Sequence, residues 1–232
     1  IHNKALNFID YSSFFNNSYL TAVISKRDRN YAIKSNRVKF IESLKINSET
    51  IIFPQQVHSN NVKIIDKVKF YKETDGLLSL SDSLGIGILV ADCVPVFLYG
   101  IKSNHCALIH SGWKGSANLI TTNAINKLID LGNFPSEIKA VLGPSIGKCC
   151  FEIGSDVAQY FSKENLSSEK GSKFKLDLKN EIFSELINLG LAMKNIYLDT
   201  HCTFCDKEKF FSYRREGIDS GRMVAIMKVK TL

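Results

Sequence analysis

The chain reads as an α+β protein with mixed or antiparallel sheets flanked by helices. Apolar β-like runs outnumber helical segments, and neighbouring runs pair locally in several places, which disfavours a doubly wound parallel sheet. No linker and no internal repeat interrupts the pattern, so a single domain over residues 1–232 is expected.

Taken in order, residues 26–30 form a polar loop, and residues 34–44 read as a helix with Val38, Ile41 and Leu44 on successive turns. Residues 50–53 and 62–65 are strand-like and flank residues 54–61, which places His58 on or beside a turn. Residues 85–90 form a short buried strand whose glycines imply close backbone approach, and it delivers Ala91-Asp92-Cys93 at its end. Residues 94–99 and 106–110 are apolar runs joined by the polar, Gly-containing link 100–105, the pattern of an antiparallel hairpin. After Ser111-Gly112-Trp113-Lys114-Gly115, Ser116 opens a helix with Leu119, Ile120, Ala124, Leu128 and Ile129 at helical spacing, ended by Gly132. The start of that helix, with Lys114 beside it, is a candidate anion site, or the glycines only shape a tight corner. Residues 140–142 are a strand, 153–161 a helix and 162–173 a polar loop. Residues 178–189 form an amphipathic helix with Ile182, Phe183, Leu186 and Ile187 on one face, and residues 196–198 and 223–227 are strands.

His58, Cys93 and His110 each sit at the edge of an apolar run and make a three-donor set suited to an open catalytic zinc, with a fourth position left for water or substrate. A hairpin turn near Lys102-Ser103 sets Cys93 within a residue or two of opposite His110. Cross-strand Cβ atoms lie roughly 4.5–5.5 Å apart, which a thiolate at about 2.3 Å and an imidazole at about 2.0–2.1 Å from one metal can span. The competing reading is structural: cysteine is often buried as a small hydrophobe, and the spacing matches no compact zinc signature. Six cysteines without a signal segment are read as thiols. Cys202-Thr203-Phe204-Cys205, preceded by His201, has the C-x-x-C spacing of a zinc knuckle or redox motif, but no second C-x-x-C and no thioredoxin-like context accompanies it, so it reads as structural or as pocket wall rather than as a second metal site; the Cys149-Cys150 pair carries no assignment.

Composition excludes other classes. No window approaches about 18 continuous apolar residues, and no basic-then-apolar leader opens the chain, so a cytoplasmic location without membrane attachment is expected. The net charge of +7 comes from scattered lysines and arginines, which points to a solvated surface rather than a nucleic-acid patch. The same field would draw in a small anion such as phosphate.

The motifs Gln56-Val57-His58, Thr74-Asp75-Gly76-Leu77, Ala91-Asp92-Cys93-Val94-Pro95-Val96, His110-Ser111-Gly112-Trp113-Lys114-Gly115, Leu142-Gly143-Pro144-Ser145-Ile146-Gly147, Cys150-Phe151-Glu152-Ile153-Gly154, Cys202-Thr203, Phe211-Ser212-Tyr213-Arg214-Arg215 and Gly221-Arg222 resemble, in the same order, those of the YfiH family, also labelled laccase-domain or polyphenol oxidase proteins. Departures are Ser59 for a glycine, Phe151 for a tyrosine, and Thr200-His201 before the Cys-Thr pair. The resemblance implies an α/β sandwich related to Cys-His hydrolases and a zinc held by His58, Cys93 and His110. It further implies phosphorolysis of adenosine, inosine, guanosine or methylthioadenosine, with adenosine deamination in the same pocket. Purine nucleosides and phosphate are then the expected partners, and a monomer or weak homodimer the expected state.

Phosphorolysis needs cations for phosphate, and Arg37, Lys114 and one of Arg214 or Arg215 are the candidates, since adjacent residues of a strand point to opposite faces. Asp92 and Asp75 are candidates for orienting a ligand, for acid/base work or for substrate contact, and Asp92 alternatively caps a turn. Glu152 is a weaker candidate of the same kind, and Trp113 one for stacking on a purine. Rival readings are a metal-free Cys93-His110 hydrolase, an editing role on peptidoglycan precursors, copper-dependent phenol oxidation and a zinc-stabilised binding module. A multi-copper oxidase needs many more histidines than the five present, and structural zinc is normally closed by four ligands.

Overall fold

Two apolar sheets each need both faces covered, and the chain satisfies this by stacking four layers. A computed structural model describes residues 7–168 and 171–230. Strands β1 (Phe8–Asp10) and β2 (Leu20–Ser25) precede helix α1 (Lys34–Ser43), followed by β3 (Ile51–Ile52), β4 (Val62–Ile65), β5 (Gly76–Ser79) and β6 (Gly85–Val90). The hairpin β7 (Val94–Gly100) and β8 (His105–Ser111) leads into α2 (Trp113–Ala117), α3 (Ile120–Asp130) and β9 (Ile138–Leu142). Then come β10 (Glu152–Gly154), α4 (Ser155–Ala158), β11 (Leu166–Ser168), β12 (Lys173–Leu176) and α5 (Leu178–Asn188). The chain closes with β13 (Ile196–Leu198), α6 (Tyr213–Glu216) and β14 (Met223–Val229).

One sheet has five strands in the order β1-β2-β14-β6-β3 and a second has six, β13-β9-β7-β8-β5-β4; β10, β12 and β11 make a small third sheet. The large sheets are mixed: the central pairs are antiparallel, while β3 with β6, β4 with β5 and β13 with β9 run parallel.

Side-chain alternation along β7 shows why its run is apolar throughout. Phe97 and Tyr99 face the five-stranded sheet and meet Ile86, Ile88, Ala225 and Met227, whereas Val96 and Leu98 face α3 and α5. The far face of the five-stranded sheet carries Val23, Val224 and Ile226 against Phe40 and Ile41 of α1. The hairpin has the anticipated register, with Pro95 opposite His110. Gly87 permits the close approach expected in β6, since a Cβ there would strike the Phe53 ring.

Three segments differ from the sequence expectation. The helix opening at Ser116 is broken: α2 ends at Ala117, Leu119 takes φ 59°, and α3 restarts at Ile120. Leu119 is consequently exposed rather than part of the apolar stripe. The cause is long-range, because Asn60 donates to the Asn118 carbonyl at 2.9 Å and accepts from Asn123 at 3.1 Å, docking the His58 segment into the break. Residues 153–161 give only the single turn α4, and the polar stretch 162–173 contains β11, because β10 and β11 both pair with β12. Arg214 and Arg215 lie on helix α6 rather than on a strand.

Among the described residues no helix is long and apolar enough to cross a membrane. Phe97 is fully buried between the two large sheets. Phe97→Ala is expected to lower unfolding free energy by about 3–5 kcal/mol, read by urea denaturation.

Candidate metal centre

Two chain crossings between the large sheets meet the end of β8, and the candidate ligands sit there. His58 lies on the crossing from β3 to β4, Cys93 on the crossing from β6 to β7, and His110 near the end of β8. Their ligand atoms all lie within 4.8 Å of one another, and the two imidazole centroids are 4.9 Å apart. His110 is buried, Cys93 is partly exposed and His58 is exposed, so the cluster opens on one side. That side is a cleft of about 1090 Å³ lined in part by Gln56, Trp113, Lys114, Phe151, Arg214 and Arg222. One thiol and two imidazoles converging at an open edge fit a thiophilic or borderline divalent metal, with room for a further ligand from the cleft.

Asp75 organises the cluster. Its Oδ1 stands 2.9 Å from His110 Nδ1, which leaves Nε2 as the nitrogen free to ligate. The same carboxylate accepts backbone N–H bonds from Val57, His58 and Ser59 at 3.1, 2.9 and 2.7 Å, and the Ser59 hydroxyl at 2.8 Å. Burial by itself raises the Asp75 carboxyl, but the His110 and Ser59 hydrogen bonds outweigh it and hold the group down to about 2. Asp75 is fully buried, so it is a positioning residue and not the substrate contact also considered for it. Ser59, where relatives were expected to carry glycine, contributes two of these bonds.

The electrostatics favour a ligating thiolate. Burial would raise the Cys93 thiol, yet His110 and His58 beside it bring it down to about 6. Burial lowers His110, but Cys93 and Asp75 against it push it up to about 9. Both shifts run toward thiolate and imidazolium, and a metal at this cluster takes the place of the imidazole proton.

Asp92 lines the cleft with φ 87°, a left-handed value disfavoured for a residue with a Cβ. It is held there by Thr203 Oγ1 at 2.6 Å, Ser212 Oγ at 3.0 Å and the Arg214 N–H at 2.7 Å, all donating to its carboxylate. The α6 cap itself is Ser212, whose hydroxyl accepts the Arg215 N–H, and Asp92 takes the Arg214 N–H in the same first turn from across the cleft. Lys114 and Arg214 line the cleft, each over an aromatic ring: Lys114 Nζ 5.6 Å from Trp113 and the Arg214 guanidinium 5.5 Å from Phe151. Arg215 turns away to the carbonyls of Thr203, Phe204 and Phe210. Arg37 is outside the cleft lining, because its guanidinium donates to the carbonyls of Tyr31 and Ala32 and stacks on Phe53. The anion site expected at a long helix start is reduced to α2, a five-residue turn with little dipole. Glu152 is exposed to solvent on its side chain and pairs with Lys173.

Sequence reasoning passed over two residues. Gln56 exchanges two hydrogen bonds of 2.8 Å with the backbone of Leu89, clamping the His58 segment to β6. Gly112 has an ordinary extended backbone, but a Cβ there would stand 2.8 Å from Cys93 Sγ and 3.1 Å from His58 Cδ2. Both lie inside the motifs quoted above; only their neighbours in space reveal their roles.

Comparison with known proteins finds the family described as multi-copper polyphenol oxidoreductase laccase matching residues 13–230. A protein of Clostridium acetobutylicum named purine nucleoside phosphorylase is 34% identical over 185 residues, covering 78% of each chain. A protein named adenosine deaminase RL5, from an unknown prokaryotic organism, is 29% identical over 204 residues, covering 80% of this chain and 78% of that one. The crystal structure of the hypothetical protein YfiH from Bacillus licheniformis superposes with a TM-score of 0.91 at 24% identity, covering 99% of this chain and 98% of that chain.

Gly112→Ala is expected to keep the fold and lose metal, read by elemental analysis beside circular dichroism; full metal content would show that the cluster does not need this gap. Asp75→Asn removes the charge that orients His110 and is expected to weaken metal affinity about 10- to 100-fold, read by competition with a chelating dye.

Proposed function

The chain belongs to the multi-copper polyphenol oxidoreductase laccase family, and from that premise we propose that it is a zinc-dependent purine nucleoside phosphorylase that also deaminates adenosine. The observation that carries this reading is the open His58/Cys93/His110 cluster at the edge of a cleft holding Lys114 and Arg214. The names of the two relatives, purine nucleoside phosphorylase and adenosine deaminase, support it. Adenosine, inosine, guanosine and methylthioadenosine are the proposed substrates.

His58, Cys93 and His110 would hold the zinc, and when bound it supplies Lewis acidity toward an oxygen and makes water a usable nucleophile at neutral pH. The residues of the chain do the rest. Lys114 and Arg214 offer two cations to phosphate, lowering the repulsion between its oxygens and concentrating it in the cleft. The Trp113 and Phe151 rings offer apolar faces for a purine. In phosphorolysis a phosphate oxygen bonds to the anomeric carbon as the glycosidic bond breaks, and the departing base takes the electron pair and a proton. Asp75 keeps Nδ1 of His110 engaged, so that imidazole cannot swing into the cleft. Asp92 holds the start of α6 and with it Arg214 at the rim.

A second reading has its own observation. Cys93, His110 and Asp75 line up as thiol, imidazole and carboxylate, with the thiol already drawn down to about 6, which is the arrangement of a metal-free Cys-His hydrolase.

Incubating adenosine with the purified protein separates the two. Adenine and ribose 1-phosphate should form only with phosphate, inosine should form without it, and both should stop in Cys93→Ala together with loss of about one zinc per chain. Activity that survives complete removal of metal would move the assignment to the hydrolase.

A further inference from the structure

Away from the cleft, the fold brings four of the six cysteines to one point. Cys149 and Cys150 follow the turn at Gly147, Cys202 and Cys205 flank a second turn, and all four sulfurs lie within 4.8 Å of one another. Cys150 Sγ is 3.3 Å from Cys205 Sγ, and Cys149 Sγ is 3.7 Å from it. Four sulfurs at about 2.3 Å from one tetrahedral ion stand about 3.8 Å apart, so these separations are close to those of a coordination shell.

A backbone donor and a tightly packed glycine border the cluster. The Gly147 N–H donates to Cys202 Sγ at 3.2 Å. Such an outer donor fixes a ligating sulfur in place. Gly147 is packed against the cluster: a Cβ there would be 3.3 Å from Cys149 Sγ and 3.3 Å from Cys202 Cβ. The two turns are zipped by a bridge between Ser145 and Cys202 and by the Thr203 N–H donating to the Ser145 carbonyl at 3.0 Å.

We propose that Cys149, Cys150, Cys202 and Cys205 bind one zinc ion in a closed tetrathiolate site, separate from the His58/Cys93/His110 cluster. Each protonated thiol gives its proton to solvent as its sulfur bonds to the ion, and no oxidant or reductant is required. With all four positions filled by protein the site is structural. It clamps the two turns that hold Asp92, because Thr203 donates to the Asp92 carboxylate and the Ile146 N–H donates to its carbonyl. This inference is independent of the nucleoside reading.

The test empties the cleft first. His58→Ala/His110→Ala protein, purified with reductant and stripped of metal, is titrated with cobalt(II). One cobalt per chain with the intense tetrahedral bands and sulfur-to-cobalt charge transfer of a tetrathiolate is expected, displaced by stoichiometric zinc, and adding Cys205→Ser should abolish that spectrum. No cobalt spectrum with the four clustered thiols reduced overturns the proposal, as does formation of disulfides among them with no metal uptake. Elemental analysis of the unsubstituted protein covers the case of a misfolded variant: two zinc ions per chain are expected, and one that disappears with His58→Ala/His110→Ala overturns it.

Discussion

The buried carboxylate of Asp75 is the constraint on which the site depends. A full charge without solvent is tolerable only if several donors surround it, and here they come from His110 and from three consecutive N–H groups of the His58 segment. The backbone joins in, with the Asp75 carbonyl accepting the His110 N–H at 2.7 Å. One residue therefore holds the loop carrying the first ligand, the strand carrying the third and the tautomer of that third ligand. His58 itself takes φ 61°, and its N–H bond to Asp75 is part of what offsets that left-handed backbone.

Asp92 answers it across the cleft. Its backbone is also left-handed, and its carboxylate gathers Thr203, Ser212 and the Arg214 N–H from the distant 202–214 region. Strain at both residues is concentrated beside the candidate ligands, where two crossings between sheets must turn sharply to present His58 and Cys93 together. The layers beneath are ordinary apolar packing, and they supply the rigidity that keeps these turns from relaxing.

The family description speaks of copper, and one thiolate with two imidazoles would suit copper as well as zinc. A multi-copper oxidase, however, assembles several metals through many imidazoles. Among the described residues, the groups of three or more donors are this cluster and an all-cysteine one. One thiol and two imidazoles make a donor set for a single metal rather than for an electron-transfer chain, and in the cleft Lys114, Arg214 and Arg222 each stand over an aromatic ring.

Much of this was legible in one dimension. Alternation and apolar runs determined the α+β class, the hairpin at 94–110, the strands at 62–65 and 85–90 and the α5 stripe, because burial demands a period that a local window displays. Donors at the edges of apolar runs singled out His58, Cys93 and His110, and motif order identified the family. Tertiary structure alone decided the rest. It broke the helix at Leu119 because Asn60 docks there, and it made strands of the short segments around 152–168 because β12 lies between them. It withdrew Arg37 and Asp75 from the cleft and gave Asp75 its positioning role. It also joined Cys149-Cys150 to Cys202 and Cys205, a grouping hidden by the long separation in sequence. The division has one physical reason: periodicity and turn chemistry are properties of neighbours along the chain, whereas charge compensation, steric gaps and ligand convergence are properties of neighbours in space.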